Sequence, residues 1–174
     1  RMPPRISPVG SSEKTQAQIE DSFCDAVATL ESHLEARSFL FGGRPAFADF
    51  GLWGQLYNAL SDPTPGAILR KRAPNLVRWI ERMDSPTAEG NFETLASLMP
   101  SLRPLLEGQV AGRFLPWPVA NARALEAGEQ ETAPEFDGRP YVPKTSKYHA
   151  RPLDRPKPNP PLAPADPLLP PVPP

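Results

Sequence analysis

Apolar residues recur at helical spacing along much of the chain and predict a series of helices. The first stripe has steps of three and four residues and predicts a helix over residues 12–37; its members are Ile19, Phe23, Val27, Leu30 and Leu34. Further patterns predict helices at 66–72, 73–83 and 114–127. Apolar residues from Phe92 to Leu106 also keep helical spacing, but we expect Pro100 and Pro104 to kink or divide that segment.

The fold is expected to be organised around residues 39–60, FLFGGRPAFADFGLWGQLYNAL. From 47 to 60 this segment is apolar on nearly every helical face, which is typical of a buried helix, and it is too short and too interrupted to span a bilayer. Gly51 and Gly54 share one face and predict the close approach of a neighbouring helix. Residues 42–45 predict a turn, and Asp49 falls in the first helical turn, where a carboxylate meets free backbone amides.

The C-terminal part of the chain changes character after Gly128. Residues 129–142 are predicted to be extended, with Asp137-Gly138 as a hairpin turn between Phe136 and Tyr141. Eleven of the 24 residues in 151–174 are proline, so we expect a disordered or polyproline-like tail. Two alternatives stay open for the tail: a ligand for a proline-binding domain, given its PxxP spacing, or the product of a frameshifted reading frame.

Composition and charge narrow the function classes. The length of 174 residues fits one domain plus a tail, with residues 1–11 as a lead-in. A net charge of −1 gives no general attraction to nucleic acid or to an anionic membrane. Cys24 is the only cysteine, which favours a reducing, cytoplasmic compartment. Because the sequence begins with Arg1 and not with methionine, we expect it to be a fragment.

The sequence shows no constellation that carries catalysis. It has no cluster at metal-ligand spacing, and Gly42-Gly43 is a turn and not a phosphate-binding loop. We therefore predict no catalytic, cofactor-binding or metal-binding residue. Cys24 is expected to be a buried structural residue, and His33 a surface or half-buried one.

Two segments carry a resemblance to a known family. FLFGGRPAFADFGLWGQL resembles the entry to the central helix in the C-terminal, all-helical domain of glutathione S-transferases, where a Ser/Thr-x-x-Asp capping box is combined with a hydrophobic staple. The matching positions are Pro45 and Phe50 for the staple, Ala46 for the cap and Asp49 for the box, and Ala46 lacks the usual hydroxyl. Residues 73–83, APNLVRWIERM, resemble the following helix of that domain.

The resemblance implies an all-α bundle like the glutathione S-transferase C-terminal domain over residues 12–128. It also implies that residues 129–150 form an extended segment found in a bacterial subset of these proteins. In that family, glutathione is bound mainly by an N-terminal thioredoxin-like domain, which also activates the thiol, whereas the helical domain lines the pocket for the apolar electrophile. Intact members use glutathione as co-substrate and are commonly homodimers.

The expected function is therefore that of a fragment of a glutathione S-transferase-like protein that lacks the thioredoxin-like domain. On this interpretation the chain alone neither binds glutathione nor catalyses conjugation. Two alternatives stay open: a non-catalytic protein-interaction or scaffold module, and an adaptor whose proline-rich tail recruits a partner.

Overall fold

The structure, a computed structural model, describes residues 15–136 and 138–147. Its helices are α1 Gln16–His33, α2 Phe47–Ser61, α3 Pro63–Arg72, α4 Pro74–Arg82, α5 Leu95–Pro104, a π-helix, π1, at Leu105–Phe114, and α6 Pro116–Glu126. Two short strands, β1 Glu135–Phe136 and β2 Arg139–Pro140, pair antiparallel as a hairpin. The predicted all-α bundle with a short hairpin is therefore confirmed. The expectations for the lead-in 1–11, His149 and the tail 151–174 lie outside the described residues.

The core lies where α1 meets α4. α1 also packs against α5 and π1, and α4 also contacts α2 and α3. The buried apolar cluster between these helices consists of Val27, Leu30, Leu34, Phe39, Leu40, Leu56, Leu69, Ala73, Leu76, Trp79, Ile80 and Met83. Three members of the predicted α1 stripe, Val27, Leu30 and Leu34, belong to this cluster and Phe23 packs at its edge, because the helical period places them on one face; Ile19 is 40% exposed.

The start of α4 is capped by a side chain from another helix. Its own cap residue, Ala73, has no side-chain acceptor. Glu31 of α1 takes that role: Oε1 accepts from the backbone N of Asn75 at 3.2 Å, and Oε2 accepts from the backbone N of Leu76 at 3.0 Å. The carboxylate thus satisfies amides that every helix start leaves open, and it ties α1 to α4.

Helix α3 begins three residues earlier than the sequence pattern predicts. The expected start at Gly66 is wrong, because the Asp62 carboxylate accepts from the backbone N of Thr64 at 2.9 Å and caps the helix there. Aspartate is a strong helix cap, and Pro63 then fits the first helical position. Helix α5 is also less broken than expected: Pro100 lies inside it, and π1 takes over only after Pro104.

Helix α2 is not buried on all faces, contrary to the prediction from its apolar composition. Phe47 is 93% exposed, and Phe50 and Tyr57 are each 48% exposed. The predicted close approach at Gly51 and Gly54 is also wrong, because a Cβ added at either glycine would meet nothing within 4 Å. Apolar composition alone does not reveal whether a neighbouring element covers each face of a helix.

The close backbone approach occurs instead in the turn before α2. A Cβ on Gly42, whose φ is +119°, would lie 2.7 Å from the carbonyl oxygen of Asn91. The neighbouring Gly43 donates its N–H to the same oxygen at 2.9 Å, and Glu93 donates its N–H to the carbonyl of Phe41 at 2.9 Å. This turn is therefore held against the segment that leads into α5.

Candidate functional site

The residue that the sequence singles out at the start of α2, Asp49, is fully buried (0% exposed). Its Oδ2 accepts from the backbone N of Ala46 at 2.8 Å. Its Oδ1 accepts from the backbone N of Leu40 at 2.8 Å and from the indole Nε1 of Trp79 at 3.1 Å. One carboxylate thus joins the turn before α2, the start of α2 and the middle of α4. Ala46 itself offers only a methyl group, so no side-chain oxygen completes the box from the cap position.

The other residues of the proposed cap lie nearby but differ in environment. Phe50 is about half exposed, and Pro45 is partly buried. None of these cap residues lines the cavity described below. The proposed cap therefore lies apart from this cavity.

The expectation that His33 lies at the surface or half-buried is wrong, because its side chain is fully buried. Nε2 lies 2.8 Å from the carbonyl oxygen of Leu40, and Nδ1 lies 2.8 Å from Oγ of Ser101. A carbonyl only accepts hydrogen bonds, so Nε2 carries the proton and Nδ1 of the neutral ring accepts from Ser101. Burial lowers the pKa of His33, which favours this neutral form.

A cavity of about 620 Å³ lies between α1, π1, the start of α6 and the hairpin. This volume falls within the usual range for small-molecule sites. Aromatic side chains from three segments line it: Phe114, Trp117, Phe136 and Tyr141. The rings of Phe136 and Tyr141 are 5.3 Å apart between centroids, and burial raises the pKa of the Tyr141 phenol, which keeps that group uncharged.

The polar part of the cavity comes mainly from one face of α1. Asp25 pairs with Arg113 of π1 at 3.0 Å, and Asp21 pairs with Arg139 of the hairpin at 3.4 Å. Ser22 and Gln109 exchange two hydrogen bonds: the serine hydroxyl donates to the amide oxygen at 2.7 Å, and the amide nitrogen donates to the serine carbonyl at 3.1 Å. The walls of the cavity are therefore joined by reciprocal polar contacts.

A buried amide anchors the segment that carries the hairpin. Asn121 of α6 is fully buried; its Nδ2 donates to the carbonyl of Ser146 at 2.9 Å, and its Oδ1 accepts from the backbone N of Ser146 at 2.7 Å. Closer to the hairpin, Thr132 donates its N–H to the carbonyl of Pro143 at 3.1 Å, and Gly138, with φ of +72°, lies in the tight turn. These bonds fix where Phe136 and Tyr141 meet the cavity.

Sequence reasoning missed this cavity because its residues come from distant segments. Gln18, Asp21, Ser22 and Asp25 have helical spacing, but a polar helix face usually contacts only solvent. The sequence contains one local indication of the cavity, namely that the aromatic residues Phe136 and Tyr141 flank the Asp137-Gly138 pair. Cys24, which was expected to be a buried structural residue, is half-buried on the cavity wall.

Within residues 15–136 and 138–147, no group of three or more His, Cys, Asp or Glu side chains could hold a metal ion. Over the same residues, no helix has both the length and the apolarity that crossing a bilayer requires.

Comparison with known families finds a match in part of the helical region. Residues 13–82 match the family model described as "Glutathione S-transferase, C-terminal domain". The match spans α1 to α4, so this part of the chain is similar to that domain. No curated protein and no solved structure matches the chain.

Proposed function

We propose that this chain is the helical domain of a glutathione-dependent transferase and that its cavity holds the apolar electrophile. Glutathione is the co-substrate of the intact protein and is held, together with the group that activates its thiol, by a thioredoxin-like domain. This division agrees with the match of residues 13–82 to the C-terminal domain of glutathione S-transferases. A dimeric, cytoplasmic and bacterial parent protein is part of the same proposal.

The observation that carries the proposal is the aromatic cavity. Its volume of about 620 Å³ suits a small aromatic compound, and it combines apolar walls with a few polar groups, as ligand sites generally do. The aromatic rings that line it, with few polar groups, support its role as a binding surface for an electrophile.

Equilibrium dialysis with 1,3-dinitrobenzene tests the proposal on the chain itself. This probe resembles chloronitrobenzene electrophiles but has no leaving group, so it cannot arylate Cys24. We expect saturable binding at one site that is unchanged by added glutathione. With 1-chloro-2,4-dinitrobenzene and glutathione, the chain alone is expected to give the uncatalysed conjugation rate.

A matched pair of phenylalanine variants assigns the binding to the cavity. Phe114 and Phe92 are 60% and 53% exposed, but only Phe114 lines the cavity. Phe114→Ala should weaken dinitrobenzene binding about threefold to tenfold, as the loss of one aromatic contact implies, whereas Phe92→Ala should leave it unchanged. Equal effects of the two substitutions, or no saturable binding by the wild type, would contradict the proposal.

A second candidate function is a non-catalytic protein-interaction or scaffold module. The exposed aromatic side chains of α2, namely Phe47, Phe50 and Tyr57, favour it, since apolar surface of this kind commonly marks an interface. Sedimentation velocity of the wild type and of Phe47→Ser tests this candidate. Concentration-dependent association that disappears in the variant supports an interface on α2, and association that persists unchanged in the variant argues against an interface there.

A further inference from the structure

The charged side chains of the cavity form two closed pairs. The acidic members, Asp21 and Asp25, both lie on α1, whereas the basic members, Arg139 and Arg113, lie on the hairpin and on π1. Each arginine pairs across the cavity with one of the aspartates, so the formal charges of these four side chains sum to zero. The amide of Gln109 is likewise engaged with Ser22.

These two ion pairs determine how a charged ligand interacts with the walls of the cavity. An anionic ligand that approaches Arg113 or Arg139 competes with a carboxylate already at 3.0 or 3.4 Å. A cationic ligand competes in the same way with an arginine for an aspartate. Removing a charged group from water without a new partner is unfavourable, whereas the apolar walls stabilise an uncharged ring by burying it.

We propose that the cavity selects uncharged, planar aromatic ligands over anionic or cationic analogues built on the same ring, and that the two ion pairs set this selectivity. The proposal rests on the proposed function and specifies the substrate class of that site. Seven of the lining residues lie outside the segment 13–82 that matches the family model: Gln109, Arg113, Phe114, Trp117, Phe136, Arg139 and Tyr141. The arginine of each ion pair therefore lies outside the segment that the family match covers.

A series of naphthalene probes of equal ring size tests the selectivity with the full chain at pH 7. The probes are 2-naphthol, which is uncharged, 2-naphthoate, an anion, and 2-naphthylmethylammonium, a cation. Ligand fluorescence gives each Kd. We expect 2-naphthol to bind about tenfold or more tightly than either ion, because an unpaired charge loses solvation on entry.

Two variants of the more exposed ion pair test its role directly. Asp21→Asn leaves Arg139 without its carboxylate, so 2-naphthoate should gain about twofold to fivefold in affinity, the scale of an exposed ion pair. Arg139→Gln leaves Asp21 without its guanidinium and should favour the cation by a similar factor. Both side chains of the pair are about 60% exposed, so neither change removes a core contact. Glu35→Gln, an exposed acid outside the cavity, is the matched control.

The outcomes separate this inference from the proposed function. Preference for 2-naphthol together with opposite shifts in the two variants supports the inference. Equal affinities for the three probes, or variants that leave the affinities unchanged, overturn it while dinitrobenzene binding still supports the proposed function. Failure of both 2-naphthol and dinitrobenzene to bind overturns the inference and the proposed function together.

Discussion

His33 and Asp49 hold the same residue, Leu40, from its two polar backbone groups. Nε2 of His33 donates to the carbonyl of Leu40 at 2.8 Å, and the N–H of Leu40 donates to Oδ1 of Asp49 at 2.8 Å. The end of α1 and the start of α2 are thereby fixed to one point of the connecting turn. Because both side chains are fully buried, these hydrogen bonds are shielded from water.

The first prediction concerns the loss of the Asp49 carboxylate. Asp49→Ala leaves the N–H groups of Leu40 and Ala46 and the indole of Trp79 without their acceptor. Each buried unsatisfied group costs about 1–3 kcal/mol, so the free energy of unfolding should fall by about 3 kcal/mol or more. Urea unfolding measures the change. Asp84→Ala, at an exposed loop position, should change stability by less than about 0.5 kcal/mol, and a similar effect of the two variants would contradict the prediction.

The second prediction concerns the missing hydroxyl at the cap of α2. Ala46→Ser supplies an acceptor for the backbone N–H of Ala48 or Asp49 and should raise the free energy of unfolding by about 0.5–2 kcal/mol. Ala48→Ser, the same substitution inside the first turn, lacks this geometry and should not stabilise. The gain at Ala46 should shrink in an Asp49→Ala background, because the two residues form one motif. An unchanged urea midpoint in Ala46→Ser would mean that the cap does not act as described.

The third prediction contrasts two glycines. Gly42→Ala places a Cβ 2.7 Å from the carbonyl of Asn91 in a backbone conformation with φ of +119°, so it should destabilise the fold by more than about 1 kcal/mol. Gly51→Ala adds a methyl group in open space inside α2 and should stabilise it by about 0.5–1 kcal/mol, through helix propensity. Thermal unfolding distinguishes the two signs. A loss of stability at Gly51 would show that another element approaches that face.

The fourth prediction is a pH dependence that arises from His33. Its pKa in the folded protein is lowered from 6.5, mainly by burial, so the unfolded chain binds a proton at higher pH than the folded one. The contribution of His33 to stability is therefore complete above about pH 6.5 and falls as the pH decreases towards the folded-state pKa. Urea unfolding between pH 5 and 8 measures it.

A glutamine at position 33 provides the control for this pH effect. His33→Gln can still donate to Leu40 and accept from Ser101, but it does not titrate. The slope of stability against pH below about 6.5 should be smaller in this variant than in the wild type. The same substitution at His149, the other histidine of the chain, separates the contributions of the two residues. An unchanged slope in His33→Gln would exclude His33 as its origin.

Local sequence signals predicted much of the fold and little of the candidate site. The α1 stripe predicted a helix over residues 12–37, within which the structure has α1 at Gln16–His33, and the predicted hairpin agrees with the pairing of β1 and β2. The bonds from Asp49 to Trp79 and from His33 to Ser101 join residues that are 30 and 68 positions apart, and no local period reports such pairs. The cavity is even more difficult to predict from local patterns. Its ion pairs join Asp25 and Asp21 of α1 to Arg113 and Arg139, which are separated from them by 88 and 118 positions along the chain.

Indole NMR tests most directly whether the cavity between α1, π1, α6 and the hairpin is a ligand site. The chain contains three tryptophans, of which only Trp117 lines the cavity. The indole of Trp53 donates to the carbonyl of Ile80, and that of Trp79 donates to Asp49, so both serve as internal references. During titration with 1,3-dinitrobenzene, the Trp117 indole signal should shift saturably while the other two stay in place. A static Trp117 signal, or a shift confined to Trp53 or Trp79, would contradict the account.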